Sequence, residues 1–193
     1  MTRNRAYWLF GLMGMYCVMI ANAIYAVLRT SSPLVNHSIM LLILLIPLVL
    51  LVLAVAIKPT WLKTIVIVGI LPLLFLSALS GFFAAIGLSH IWTTGQDQSF
   101  VPITSVKLQS SRVVVYRTDG GATTSFGIVA RHERVLFPGI LLVRNIYHVY
   151  PGSEAQLTII DPTTIKIVSP PYDSERRPKP DEAVIRLKPW VYL

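Results

Sequence analysis

The chain has 193 residues, of which 54% are hydrophobic and only 13% are charged, against about 25% charged in ordinary globular proteins. All nine acidic residues lie at or beyond Asp97, so an acid-free first half precedes a mixed-charge second half. The net charge of +8 is divided accordingly, with +5 in the first half and only +3 in the second (12 basic minus 9 acidic). This distribution argues against nucleic-acid binding, which requires a basic face on a soluble domain.

Three apolar blocks fill the first half of the chain, at about 6–28, 38–57 and 64–88. Each is long enough to cross a hydrocarbon core of about 30 Å, which takes about 20 helical residues. The third is longer and is expected to tilt or to project beyond the bilayer. The connectors are short and rich in Pro, Ser and Thr, which is typical of turns between antiparallel helices. Residues 1–88 are therefore predicted to be a three-helix transmembrane region.

The first block contains Ala21-Asn22-Ala23, which has the small-x-small form of a signal-peptidase site. A secretory apolar region usually ends after 7–15 residues. Here the apolar run continues to Leu28 before Arg29 ends it, which favours a retained span over cleavage after Ala23.

Loop charges predict the orientation. The N-terminal tail carries Arg3 and Arg5, and the second connector carries Lys58 and Lys63, whereas the first connector has only Arg29. The positive-inside rule places the tail and the second connector in the cytoplasm. We therefore expect a multi-pass protein of the inner (plasma) membrane, with a cytoplasmic N-terminus and an extracytoplasmic, periplasmic C-terminal domain.

Small residues recur at four-residue spacing in the third block, and such rows let membrane helices approach closely. They predict a helix-packing face, used within the chain or by another membrane subunit. Pro47 and Pro72 are expected to kink their helices. The members of the packing face are Ser77, Gly81, Ala85, Ser80 and Ala84.

The second half begins with a polar stem at 89–102 and continues as a β-rich region at 103–193. Seven short runs enriched in Val, Ile, Thr and Tyr are separated by turn residues, at the spacing of an all-β module. We expect a small sandwich or partly open barrel of six or seven strands. The runs are ITSVKL, SRVVVYRT, TTSFGIVA, GILLVRNIYHVY, AQLTII, TIKIVS and AVIRLKPWVY.

A segment rich in proline and charge, at 169–182, is expected to be an extended loop before the last strand. A surface loop is the simpler interpretation. The alternative is a docking patch for an acidic partner or for anionic headgroups, formed by Arg176, Arg177 and Lys179. A similar face could include Arg131, Arg134 and Arg144.

Catalytic motifs are absent from the sequence, with no nucleophile elbow, phosphate loop or dinucleotide fingerprint. HERVL, at 132–136, begins like a zinc-protease helix but has Leu136 where the second His belongs. His132 and Glu133 are adjacent on a strand, so they should point to opposite faces. We therefore expect no catalytic residue, metal or cofactor. Cys17 is the only cysteine and lies in a predicted span, so the β-region has no disulfide.

Three kinds of function remain open. The first is a non-enzymatic module, anchored in the lipid bilayer, whose β-domain binds a protein partner in the membrane or periplasm, as a subunit of an envelope complex would. The second is a membrane immunity or inhibitor protein against an envelope-acting toxin. The third is an enzyme with an unrecognised site. The absence of ionisable residues inside the spans argues against transport, and the first interpretation is preferred.

Overall fold

The structure, a computed structural model, describes residues 3–25, 27–58, 60–119, 125–172 and 179–190. The chain divides into two units, one helical and one built from β-strands. The helical unit comprises Met1–Tyr25 and Ser32–Gly95, and the β-unit comprises Ala26–Ser31 and Gln96–Leu193. The β-unit therefore includes a short piece of chain from between the first two helices.

Four helices form the helical unit: α1 (Arg3–Tyr25), α2 (Pro33–Leu44), α3 (Ile46–Val55) and α4 (Thr60–Thr94). The second apolar run was expected to start at residue 38, but its helix begins at Pro33. The Ser32 side chain caps α2 by accepting a hydrogen bond from the Val35 amide, and proline suits the first turn because its missing N–H would have no helical partner there. The kink expected from Pro47 is a break between α2 and α3 at Leu45.

Two helical segments are long and apolar enough to cross a membrane: Pro33–Val55, with mean hydropathy 3.2, and Thr60–Thr94, with 2.5. In α1, a shorter apolar stretch is described at Phe10–Asn22, so the third crossing stays a prediction. α4 has 35 residues, or about 52 Å at 1.5 Å per residue, which exceeds a hydrocarbon core of about 30 Å. Because α4 continues to Thr94, the first six residues of the predicted stem are helical.

The helical unit has a hydrophobic core contributed by all four helices. The Tyr16 hydroxyl of α1 lies 3.3 Å from the Ser77 hydroxyl of α4, joining two buried polar atoms between otherwise apolar surfaces. The buried members are Tyr16, Ile43, Ile46, Leu50, Ala54, Ile57 and Ile70.

Eight described strands form two antiparallel sheets. The five-stranded sheet has the order β1-β5-β4-β3-β2 and the three-stranded sheet the order β6-β7-β8. The strands are β1 (Leu28–Thr30), β2 (Phe100–Lys107), β3 (Arg112–Thr118), β4 (Gly127–Phe137), β5 (Ile140–Val149), β6 (Gln156–Asp161), β7 (Thr164–Ser169) and β8 (Asp181–Arg186).

A single hydrophobic core joins the two sheets. Side chains alternate between the two faces of a strand, so Val113 and Val115 of β3 point to the same face. They cluster with Ile165 and Ile167 of β7, and all four are fully buried. The sequence predicted a sandwich or a partly open barrel. Two separate sheets packed around one core form a sandwich.

Each of the seven predicted runs contains a strand, but two local expectations differ from the structure. The predicted run TTSFGIVA ends at Ala130, but its strand β4 continues through HERVL to Phe137 and turns into β5 through Pro138 and Gly139. Gly139 has φ 81°, a conformation that glycine adopts without steric cost. The first connector, expected as a turn, contains β1, which pairs with β5. The sequence TDGGA at 118–122 predicts a hairpin turn, because its two glycines can adopt positive φ, and this turn lies mostly outside the described residues.

Candidate functional site

A groove opens at one end of the sandwich, with a volume of about 380 Å³. The β2–β3 turn, the β6–β7 turn, the chain after β8 and part of β4 form its walls. Its lining residues are Leu108, Gln109, Ser110, Ser111, His132, Arg134, Pro162, Thr163, Leu187, Lys188, Pro189 and Trp190.

His132 of β4 lies buried in the wall of this groove. Its Nε2 atom is 2.8 Å from the Ser111 hydroxyl, and the Trp190 indole N–H donates to the same atom at 3.2 Å. An indole nitrogen can only donate, so Nε2 is the acceptor and the proton of the neutral ring is on Nδ1. Burial, and secondarily the charge of Arg144, lowers the pKa of His132, which favours the same neutral form.

The pairing of Ser111 with His132 resembles two members of a hydrolytic triad, but the remaining geometry does not fit. The base of such a triad is oriented by a third group that accepts from its other nitrogen. Among the described residues, the buried His132 Nδ1 has no hydrogen-bond partner, and Nε2 is already shared with Trp190. The carboxylate next in sequence, Glu133, bonds to Arg112 and Tyr116 instead.

Three basic side chains lie in the groove or against Trp190 in its wall. Arg134 and Lys188 line the groove. The Arg144 guanidinium lies 4.7 Å from the centroid of the Trp190 ring and donates to the Lys188 carbonyl at 3.4 Å. The lining residues include no Asp or Glu. The groove thus combines an aromatic surface with uncompensated positive charge, which suits an anionic ligand or an acidic peptide segment.

The opposite face of the five-stranded sheet carries a second polar cluster, centred on Glu133. Its carboxylate accepts from the Arg112 Nε and Nη2 atoms, each at 2.8 Å, and from the Tyr116 hydroxyl at 2.7 Å. Glu133 is 3% exposed. Burial, followed by the hydrogen bond to Glu133, raises the pKa of Tyr116 well above its usual range. These contacts give both oxygens of the buried carboxylate a hydrogen-bond donor.

Arg131 extends the same cluster across the sheet. Its guanidinium lies 4.2 Å from the centroid of the Phe100 ring, and its Nε donates to the Asn145 side chain at 3.1 Å. Arg29 of β1 lies over the same Phe100 ring at 5.8 Å. Burial, followed by the neighbouring Arg29 charge, lowers the pKa of Arg131 to about 10, so the group stays charged at neutral pH. The cluster links all five strands and is structural in character.

The predicted docking patch lies largely outside the described residues, because Arg176 and Arg177 fall in 173–178. Lys179 is exposed shortly before β8. Of the three further arginines considered in sequence, the structure brings Arg134 and Arg144 to the groove but places Arg131 in the cluster on the other face.

Members of the predicted packing face in α4 are in different environments. Ser77 and Ala84 are buried, and Gly81 lies near Leu44 of α2, which a Cβ on Gly81 would meet at 3.8 Å. Ser80 is half-buried and Ala85 is exposed. Part of this face therefore packs within the chain, and its use by another subunit stays a prediction.

Sequence reasoning missed Ser111 and Trp190 as neighbours of His132, since they lie 21 and 58 residues away. A signal was present in Arg131–Arg134, four consecutive ionisable residues where a half-buried strand should alternate. Among the described residues, no three His, Cys, Asp or Glu side chains are placed to hold a metal ion. Comparison with protein-family models, curated proteins and solved structures gave no match, so functional inference rests on this chain's own residues.

Proposed function

We propose that this chain is a multi-pass inner-membrane protein whose β-domain lies on the extracytoplasmic side and binds a protein partner without catalysing a reaction. A subunit of an envelope complex would have these properties. The basic groove at Trp190 is the feature that supports a binding role most directly, and its proposed ligand is an acidic segment of the partner.

The strand β1 supports the proposed topology. It precedes α2 but pairs with β5 of the domain that follows α4, so these two parts of the chain must lie on the same side of a membrane. Two crossings between them, by Pro33–Val55 and Thr60–Thr94, meet that condition. The connector between those crossings carries Lys58 and Lys63 and would be cytoplasmic under the positive-inside rule. A crossing by α1 then places the N-terminal arginines in the cytoplasm as well.

The composition of the groove supports binding over catalysis. Trp and Arg are enriched among the residues that contribute most of the energy of protein interfaces, and both surround this groove. A general base needs a free nitrogen within reach of a substrate proton. His132 presents neither ring nitrogen in that way, because Nε2 is occupied and Nδ1 is buried.

Purification of the tagged protein from its native membrane in mild detergent tests the proposal. We expect an envelope protein to co-elute at fixed stoichiometry. Trp190→Ala and Lys188→Glu should each reduce its recovery, whereas Lys166→Gln, at an exposed ion pair on β7, should not. Full recovery of the partner with both groove variants would overturn the groove as the binding site. Elution of the wild-type chain alone would overturn the stable complex. A toxin as the partner would favour the immunity function instead.

A further inference from the structure

The hairpin between β4 and β5 ends in an apolar tip that is exposed in the structure. From Val135 to Val143 the chain contains no side chain with a charge or a hydrogen-bonding group. Val135 and Phe137 are 64% and 61% exposed. Hairpin turns on soluble domains are normally built from polar residues with Gly or Pro, so this tip differs from a water-facing turn. We define the apolar tip as Val135, Leu136, Phe137 and Ile140.

The neighbouring strand β1 continues the apolar surface. Val27 and Leu28 are exposed; Leu28 pairs with Leu142, and the Val143 amide donates to the Val27 carbonyl. Exposed apolar patches of this kind mark protein or membrane contact sites. The covalent connections of β1 distinguish between these two possibilities.

The tip is hydrogen-bonded to the residues of the β-unit that lead into α2. Thr30 pairs with Ile140, and the Ser31 amide donates to the Gly139 carbonyl at 2.9 Å. Pro33, two residues further on, is the first residue of α2. Since an extended residue spans at most about 3.5 Å, the Gly139 carbonyl lies within about 10 Å of the Pro33 nitrogen.

This separation places the tip at the depth of the lipid headgroups if α2 and α3 cross the bilayer, as proposed above. Pro33–Val55 has 23 residues, or about 34 Å of helix, so its ends fall at the borders of a hydrocarbon core of about 30 Å. The headgroup region adds about 5–8 Å on each side. Aliphatic and aromatic side chains are stabilised at this boundary because their apolar surface leaves water.

We propose that the apolar tip, with Val27 and Leu28, inserts into the extracytoplasmic lipid interface and fastens the β-domain to the membrane surface. The ligand of this surface is the phospholipid itself, at the level of the glycerol and upper acyl chains. This contact is separate from the groove at Trp190, which leaves the groove available to a partner.

Depth-dependent fluorescence quenching tests this proposal with the full chain in phosphatidylcholine–phosphatidylglycerol vesicles. In a Cys17→Ala background, an environment-sensitive nitrobenzoxadiazole label is attached at Phe137→Cys on the tip. The matched controls are Thr158→Cys, exposed on β6, and Leu48→Cys, exposed on α3. Lipids with a nitroxide near the headgroup or deep in the acyl chain serve as quenchers. Leu136→Cys repeats the measurement at the adjacent exposed residue of the tip.

A blue-shifted tip label that loses intensity mainly with the shallow quencher, while the Thr158→Cys label loses none, would support the proposal. An unquenched tip label alongside a quenched Leu48→Cys label would overturn the tip's insertion and leave the crossing helices intact. A blue shift without quenching would do the same, since it indicates protein contact. An unquenched Leu48→Cys label would overturn the proposed crossing itself, together with the insertion that rests on it.

Discussion

His132 and Glu133 are neighbours in β4, but their side chains lie on opposite faces of the five-stranded sheet, as the alternation of a strand requires. Glu133 has hydrogen bonds to both carboxylate oxygens from Arg112 and Tyr116. His132 has two contacts at one nitrogen and none at the other. These two consecutive buried residues are therefore in different environments. Both Glu133 oxygens accept hydrogen bonds, whereas His132 lies in the wall of an open groove.

This difference indicates which face is structural and which is available to a ligand. Buried charges are retained where partners compensate the loss of hydration, and both Glu133 carboxylate oxygens accept hydrogen bonds from within the cluster. The groove at Trp190 has basic groups without matching acids among its lining residues. Substitutions on the first face should therefore change stability, and substitutions on the second should change binding or pH response.

Glu133→Gln should have the largest effect on folding. It removes the negative charge that compensates Arg112 and Arg131. Arg112 is half exposed, so the loss is taken from the hydrogen bonds to a buried charged group, which contribute about 2–3 kcal/mol. We expect the free energy of unfolding to fall by that order, measured by denaturant titration of the purified chain in detergent. Glu182→Gln breaks an exposed pair with Lys166 and should cost less than about 1 kcal/mol. Equal losses for the two variants would contradict the structural role of the cluster.

Arg131→Lys should have a smaller effect. Lysine keeps the charge but lacks the planar group that stacks on Phe100 and the Nε that donates to Asn145. A loss of about 1–2 kcal/mol is expected from the weaker stacking and the lost hydrogen bond. The same titration measures it, with Arg186→Lys at an exposed position as the control. A loss no greater than that of the control would show that Arg131 contributes only its charge.

The pH dependence of the free energy of unfolding should reveal the lowered pKa of His132. Its pKa is lowered from 6.5 in the folded chain, by burial and then by Arg144, so below about pH 6.5 the unfolded chain binds the additional proton. The free energy of unfolding should therefore decrease as the pH falls from 6.5 and level off below the folded pKa. Melting temperatures between pH 8 and 5 should show a shallower decrease for His132→Gln than for the wild type. His148→Gln, at an exposed position, should keep the wild-type slope; an unchanged slope in His132→Gln would contradict the assignment.

Tyr147→Phe should have the smallest effect and the opposite sign. The Tyr147 hydroxyl is buried without a hydrogen-bond partner, and burying an unpaired polar group is unfavourable. Removing it should leave stability unchanged or raise it by up to about 1 kcal/mol. Tyr116→Phe, which loses a hydrogen bond to Glu133, should instead destabilise the chain. A clear destabilisation by Tyr147→Phe would show that its hydroxyl is paired.

The sequence by itself determined the elements that depend on local pattern. Long apolar runs identify helices because a membrane-spanning segment must satisfy its backbone hydrogen bonds internally. Runs rich in β-forming residues, separated by turn residues, located β2 to β8. The alternation of side chains along a strand was sufficient to predict that His132 and Glu133 point to opposite faces. The position of Pro47 was sufficient to predict a disturbance of the helix, and the structure shows a break between α2 and α3 at Leu45.

Only the tertiary structure decided what depends on distant residues. Arg29 was interpreted as a connector charge, but β1 brings it over Phe100, 71 residues away. Arg134 lines the groove and Arg144 stacks on Trp190 in its wall, whereas Arg131 lies on the other face of the sheet. Local periodicity records which face a side chain takes, but it does not record which remote strand lies beside it. The apolar tip and its apolar neighbours therefore became visible only once β1, β4 and β5 were placed side by side. The groove became visible only once the β2–β3 turn, the β6–β7 turn and the chain after β8 were placed beside β4.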